Sequence, residues 1–280
     1  MFPGHDGMPD FSGRGEDLDT ALEVLHGTRA TGIGAVVAVT GEAGIGKTTF
    51  ITELRERAVG DGFATGRAAA LESGGIAPLA PLLTALRSGP APVLSQADFG
   101  ALATYASRPI WLVDRLTGQL RARATATPIL ICVEDLQWAD AATRYVLRVL
   151  PAQLVSSAIV WLFSSRLPLD AIADDVAVHE ILLGPLPLSV PEAGGNPLLA
   201  VALTRGQVAE AVRHMLSSLP STAKELLTAA AALGPSFTVE SLGALPDHDA
   251  LARLAREGLL ADDGRRLHFR HELLRQALLI

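Results

Sequence analysis

Residues 41–48 read Gly41-Glu42-Ala43-Gly44-Ile45-Gly46-Lys47-Thr48, a complete G-x-x-x-x-G-K-[ST] pattern. Directly before it stands Ala35-Val36-Val37-Ala38-Val39-Thr40, an unbroken apolar, β-branched run of the kind that forms a strand buried on both faces of a parallel sheet. Directly after it, residues 48–59 lack Gly and Pro, carry Glu53, Arg55, Glu56 and Arg57, and stop at Gly60-Asp61-Gly62, which predicts a helix with a glycine stop. Strand, glycine-rich turn and helix in that order aim backbone N–H groups at the positive end of the helix, which makes a phosphate cradle. In such a cradle Gly41, Gly44 and Gly46 let the chain curl and Lys47 neutralises phosphate charge. The Thr48 hydroxyl holds Mg²⁺, and Thr49 follows on the same helical turn.

Two further apolar runs, Pro128 to Val133 and Ala158 to Phe163, read as buried strands, with a helix over 139–150 between them. Their alternation predicts an α/β layered domain with a mostly parallel sheet and helices on both faces. The first run ends in Glu134-Asp135, so two carboxylates emerge at the carboxyl edge of the sheet beside the loop. Phosphoryl transfer needs one acid to hold Mg²⁺ and a second group to orient the attacking water, roles that fall to Glu134 and Asp135. Past residue 184 the composition changes. Residues 184–197 are rich in Pro and Gly, 208–233 are helical with a break at Pro220, and 251–257 form another short helix. Residues 258–261 and 266–269 flank Asp262-Asp263-Gly264, a hairpin-turn signal, and a last helix starts near His271. The expected organisation is a nucleotide-binding domain over 1–184, a short connection over 185–207 and a winged-helix-like domain over 208–280.

Composition narrows the function classes. With 49% hydrophobic residues the chain has material for a core, and a disordered chain is excluded. A net charge of −7 argues against a chain-wide surface for nucleic acid or anionic membranes. The single Cys132 rules out an intramolecular disulfide framework and fits a reducing cytosol. The N-terminus lacks the apolar core of a signal peptide, and apolar stretches break well before the ~20 residues of a spanning helix. A soluble cytoplasmic protein with no membrane partner is expected. Lys47 and Lys224 are the two lysines among 23 basic residues, and one of them sits where a compact ammonium meets phosphates better than an arginine fork would.

Glu134-Asp135-Leu136-Gln137-Trp138-Ala139-Asp140 together with the phosphate loop resembles the ATPase domains of STAND-class signal-transduction NTPases, and most of all the large ATP-binding regulators of the LuxR type. The resemblance runs from residue 11 to the C-terminus and implies an AAA-like P-loop fold followed by a smaller winged-helix domain. Phe11-Ser12-Gly13-Arg14-Gly15-Glu16-Asp17 is similar to the family's N-terminal signature, of which Arg14 carries over as a nucleotide-side residue. Trp161-Leu162-Phe163-Ser164-Ser165-Arg166 resembles the sensor strand, implying that Arg166 reads the γ-phosphate. Gly195-Asn196-Pro197-Leu198 resembles the Gly-x-Pro signature, implying that Pro197 packs on adenine. Phe269-Arg270-His271-Glu272-Leu273 resembles the winged-helix signature, implying that His271 contacts the ADP β-phosphate and holds the switch closed. The chain differs from the family in three respects: Glu134 replaces the commoner Asp, few residues separate Leu183-Gly184-Pro185-Leu186 from Gly195, and Ile280 ends the sequence where relatives continue.

The expected function is an ATP/ADP-dependent switch with slow hydrolysis, the ATPase core of a transcriptional regulator. It would self-associate in the ATP state and reach DNA only through regions outside this chain. The alternative is a DNA-binding winged-helix module with a structural nucleotide. Arg253, Arg256, Arg265, Arg266, Arg270 and Arg275 are consistent with it, but they are interleaved with Glu257, Asp262, Asp263 and Glu272 as on a solvated face. A small-molecule kinase lacks a visible acceptor-binding motif.

Overall fold

A computed structural model describes residues 13–71, 78–89, 92–103, 105, 108–169, 172–173, 175–243 and 247–279; Phe11 and Ser12 of the N-terminal signature lie outside them. In chain order the elements are α1 (Gly15–Thr31), β1 (Ala35–Thr40), α2 (Lys47–Gly60), β2 (Ala64–Ala69), α3 (Ala80–Arg87), α4 (Gln96–Ala103), α5 (Pro109–Ala126), β3 (Ile129–Glu134), α6 (Ala141–Gln153), β4 (Ile159–Ser165) and β5 (Val178–Leu182). There follow α7 (Pro197–Arg205), α8 (Val208–Leu216), α9 (Ser221–Leu233), β6 (Ser236–Phe237), α10 (His248–Arg256), β7 (Leu260–Asp262), β8 (Leu267–Phe269) and α11 (Glu272–Leu278).

The three apolar runs form β1, β3 and β4, buried along nearly their whole length. They sit at the centre of a five-stranded sheet of order β2-β3-β4-β1-β5, in which every pairing is parallel. Alternation along the strands splits the core in two. Val36, Ile131, Trp161 and Phe163 pack with α3, α5 and α6 on one face. Val37, Cys132, Val160 and Leu162 pack with α1 and α2 on the other. Helices therefore cover both faces, as expected for an AAA-like P-loop domain.

A parallel sheet with these crossovers carries its loops at the carboxyl ends of the strands, and the strand order decides which loops meet. Here β4 lies between β1 and β3, so Arg166, just past β4, stands between the loop after β1 and Glu134 at the end of β3.

The rest of the chain builds a second core from α7 to α11, with Leu199, Met215, Leu227, Phe237, Leu254 and Leu274 at its centre. Its sheet is small and antiparallel, of order β6-β8-β7, and the expected hairpin is the β7–β8 pair. The segment read as a connection contributes α7 to this core, and Ala43 of the phosphate loop enters the core as well. Among the described residues no helix is long and apolar enough to cross a membrane.

Candidate functional site

The loop between β1 and α2 has its three motif glycines at positive φ, 152° for Gly41, 79° for Gly44 and 103° for Gly46, a region that disfavours residues with a Cβ. Gly44 also has a packing reason, since a Cβ there would lie 2.6 Å from Leu198 Cβ. Lys47, the first residue of α2, is buried, and its Nζ donates to Gly41 O at 2.7 Å and Glu42 O at 2.9 Å. Burial, with Arg166 adding to it, pulls the ammonium down to about 8, against the opposing pull of Asp135, Glu42 and Glu134. Among the described residues no carboxylate comes within ion-pair distance of this Nζ, so a buried cation meets carbonyl oxygens alone. Thr48 and Thr49 follow with exposed side chains on the first turn of α2, where backbone N–H groups have no intrahelical acceptor. A buried ammonium without an anion beside free helix-end donors fits a polyphosphate.

Glu134 is buried at the end of β3. Its Oε2 accepts from Thr48 Oγ1 at 2.9 Å, and its Oε1 accepts from Arg67 Nε. Arg67 Nη1 donates in turn to Thr52 Oγ1 at 2.9 Å. A hydroxyl and a carboxylate facing each other at the head of α2 suit a hard cation such as Mg²⁺. Asp135 has φ 56° and ψ 46°, an unusual conformation for a residue with a Cβ. It is held by its own N–H on Ser164 Oγ at 3.2 Å and by Gln137 Nε2 on its Oδ1 at 3.0 Å.

Arg166 reaches across to the C-terminal core. Its Nη1 donates to Ser218 Oγ at 2.5 Å and Met215 O at 3.3 Å, and stands 4.0 Å from Glu257 Oε2. It also lines a cleft of about 320 Å³ with Gly41, Glu42, Gly184, Arg256 and Arg270. Arg14 is buried, and its Nη2 donates to Ile45 O at 3.2 Å and Gly184 O at 2.6 Å, which ties α1 to the phosphate loop.

From the C-terminal side, Pro197 takes the first position of α7 and Asn196 caps it, its Oδ1 accepting from Leu198 N and Leu199 N. Asn196 Nδ2 donates to Glu42 Oε1 at 2.8 Å and Ala43 O at 2.9 Å, and Leu198 N donates to Gly44 O at 3.2 Å. His271 Nε2 lies 3.1 Å from Glu42 Oε1. The structure thus brings Arg14, the loop glycines, Lys47, Thr48, Glu134, Asp135, Arg166, the Asn196-Pro197 pair and His271 to one edge of the sheet. Sequence reasoning missed Glu42, Arg67 and Asn196. Asn followed by Pro was itself a readable helix-start signal. Glu42 and Arg67 carried no such signal, because their partners lie far away in the chain.

The family model described as an AAA ATPase domain matches residues 10–162, more than half of the chain. No curated protein matches. Among solved structures, a Walker-type ATPase of Pyrococcus abyssi is 13% identical with a TM-score of 0.53, over 95% of each chain. A chain of Drosophila ORC bound to DNA is 16% identical with a TM-score of 0.48, over 95% of this chain and 94% of that one. A STAND protein of Pyrococcus horikoshii with a tetratricopeptide repeat sensor is 17% identical with a TM-score of 0.35, over 97% of this chain and 42% of that one.

Proposed function

We infer that this chain, which belongs to the AAA ATPase domain family, is a cytoplasmic ATP/ADP switch that hydrolyses ATP slowly and forms the ATPase core of a LuxR-type, STAND-class transcriptional regulator. The observation that carries the nucleotide reading is Lys47, a buried ammonium with carbonyl oxygens as its hydrogen-bond acceptors, at the head of a helix whose first N–H groups have no intrahelical acceptor. Lys47, Thr48, Thr49 and the backbone around Gly41, Gly44 and Gly46 would bind the phosphates, and Thr48 and Glu134 would hold Mg²⁺. When bound, that ion neutralises charge on the polyphosphate. Asp135 orients the attacking water, Arg166 meets the γ-phosphate, and Arg14 and Pro197 flank the nucleotide.

The link from Arg166 to Ser218 and Glu257 supports a switch in which the winged-helix-like part moves relative to the sheet and self-association follows the ATP state. DNA contact would come through other regions. Three of the arginines that favoured a DNA-binding module are instead paired within the protein, Arg253 with Glu257, Arg270 with Glu42 and Arg275 with Glu272. The test is equilibrium titration with ATP and ADP. The unaltered chain should bind both and Lys47→Ala should bind neither; equal affinity in the two would sink the assignment.

A further inference from the structure

We propose that His271 acts on the nucleotide site through Glu42 and not through a phosphate contact of its own, which makes Glu42 the joint between the loop and the C-terminal core. The proposal rests on the nucleotide reading above. Four observations lead to it. First, the His271 side chain is 1% exposed, and its Nε2 lies 3.1 Å from Glu42 Oε1 on the loop side. Second, Nδ1 has no hydrogen-bond partner among the described residues and lies against Gly194, where a Cβ would stand 2.8 Å away. A carboxylate oxygen can only accept, so Nε2 is the donor in this pair and its hydrogen bond is spent on Glu42.

Third, Glu42 collects the C-terminal core from separate segments. Asn196 Nδ2 at the start of α7 donates to Oε1 at 2.8 Å, and Arg270 Nη1 past β8 lies 3.8 Å from Oε2. Gly258 presses on the same side chain, since a Cβ there would lie 3.0 Å from Glu42 Cβ. Fourth, the carbonyl of Glu42 accepts from Lys47 Nζ at 2.9 Å. One residue is therefore bonded through its backbone to the phosphate-binding lysine and through its side chain to Asn196 and His271. When Lys47 turns from these carbonyls towards a phosphate, Glu42 loses a backbone partner, and the disturbance passes to His271 and Asn196. His271 is a positioning residue in this scheme.

A double-mutant cycle on ADP release separates the two arrangements. The full chain is loaded with fluorescent ADP and chased with unlabelled ADP. His271→Ala should release ADP about tenfold faster, the loss expected for a hydrogen bond to a charged group. His271→Gln, whose amide can still donate to Glu42, should return to within about twofold of the unaltered chain. In a Glu42→Ala background, His271→Ala should add nothing further. Multiplication of the two single effects, or failure of His271→Gln to restore slow release, would overturn the proposal and give His271 its own phosphate contact. Should Glu42→Ala fail to fold, as judged by circular dichroism, the cycle is run with Glu42→Gln, which keeps the shape and removes the charge: the effect of His271→Ala should shrink in that background, and an undiminished effect would overturn the proposal. Failure of the nucleotide reading shows up separately, as ADP affinity in Lys47→Ala equal to that of the unaltered chain.

Discussion

Thr48 Oγ1 donates to Glu134 Oε2 at 2.9 Å, which joins the head of α2 to the end of a strand two places away in the sheet. The same carboxylate takes Arg67 on its other oxygen, so Glu134 has two tasks, facing the cation position and neutralising Arg67. Glu134→Gln keeps the shape and removes the charge. ATP turnover, followed by phosphate release, should fall at least about tenfold, while stability in urea drops by about 1–3 kcal/mol because Arg67 loses its charged acceptor. Full activity in Glu134→Gln would remove the residue from the cation site.

Lys47 gives a pH dependence with a definite sign. In the folded chain it lies at about 8, below the ordinary lysine value of 10.5, so between those two pH values the unfolded chain binds more protons. Stability of the nucleotide-free protein therefore gains a contribution from this group as pH rises from about 8 to 10.5. Nucleotide binding runs the other way, because a phosphate favours the ammonium. ADP affinity should weaken as pH rises above about 8, with proton uptake on binding visible by calorimetry in buffers of different ionisation heat. A flat affinity from pH 7 to 10 would contradict the assignment.

Glu257 is buried and accepts from Arg253 Nε at 2.9 Å and from Ser218 Oγ at 2.9 Å, with Arg166 behind Ser218. Removing this carboxylate leaves buried donors and two guanidinium groups without compensation. Glu257→Ala should cost about 3–5 kcal/mol, as breaking a buried charge pair does. Limited proteolysis should then cut the α8–α9 junction faster. An unchanged denaturation midpoint would mean that Arg166 is held by Met215 and Ser218 alone.

Cys132 lies in the middle of β3 and is fully buried, and burial pushes its thiol up to about 12. The thiolate is the reactive form, so alkylation of the native protein should be at least about a hundredfold slower than in denaturant and should track the opening of the sheet. Fast stoichiometric labelling at neutral pH would contradict the central position of β3.

The parts legible from sequence were those whose physics is local. β1, β3 and β4 announced themselves as unbroken apolar runs because both faces of the central strands are covered. β2 reads Ala64-Thr65-Gly66-Arg67-Ala68-Ala69, with too few large apolar side chains to signal a strand. Its Gly66 is there because Ala85 O would stand 2.2 Å from any Cβ. β5 is an edge strand with Ile181 as its one buried residue, so no alternation marked it. The phosphate loop was readable because its glycines answer to backbone geometry. Glu42 was not, since its side-chain bonds run to Asn196 and His271, 154 and 229 residues away, and no spacing rule reaches that far.

The registers of β4 have a consequence for how this chain can vary. Thr40 stands opposite Ser165 and Val133 opposite Phe163, so the three strand ends that carry the loop, Arg166 and Glu134 are set level by ladder pairing alone. Adding or deleting one residue within β4 would scarcely alter its composition, yet it would turn Trp161 and Phe163 from one face of the sheet to the other. It would also shift Arg166 by about 3.3 Å along the strand. The sheet works as a ruler: length changes in β4 should be tolerated far less than apolar substitutions within it.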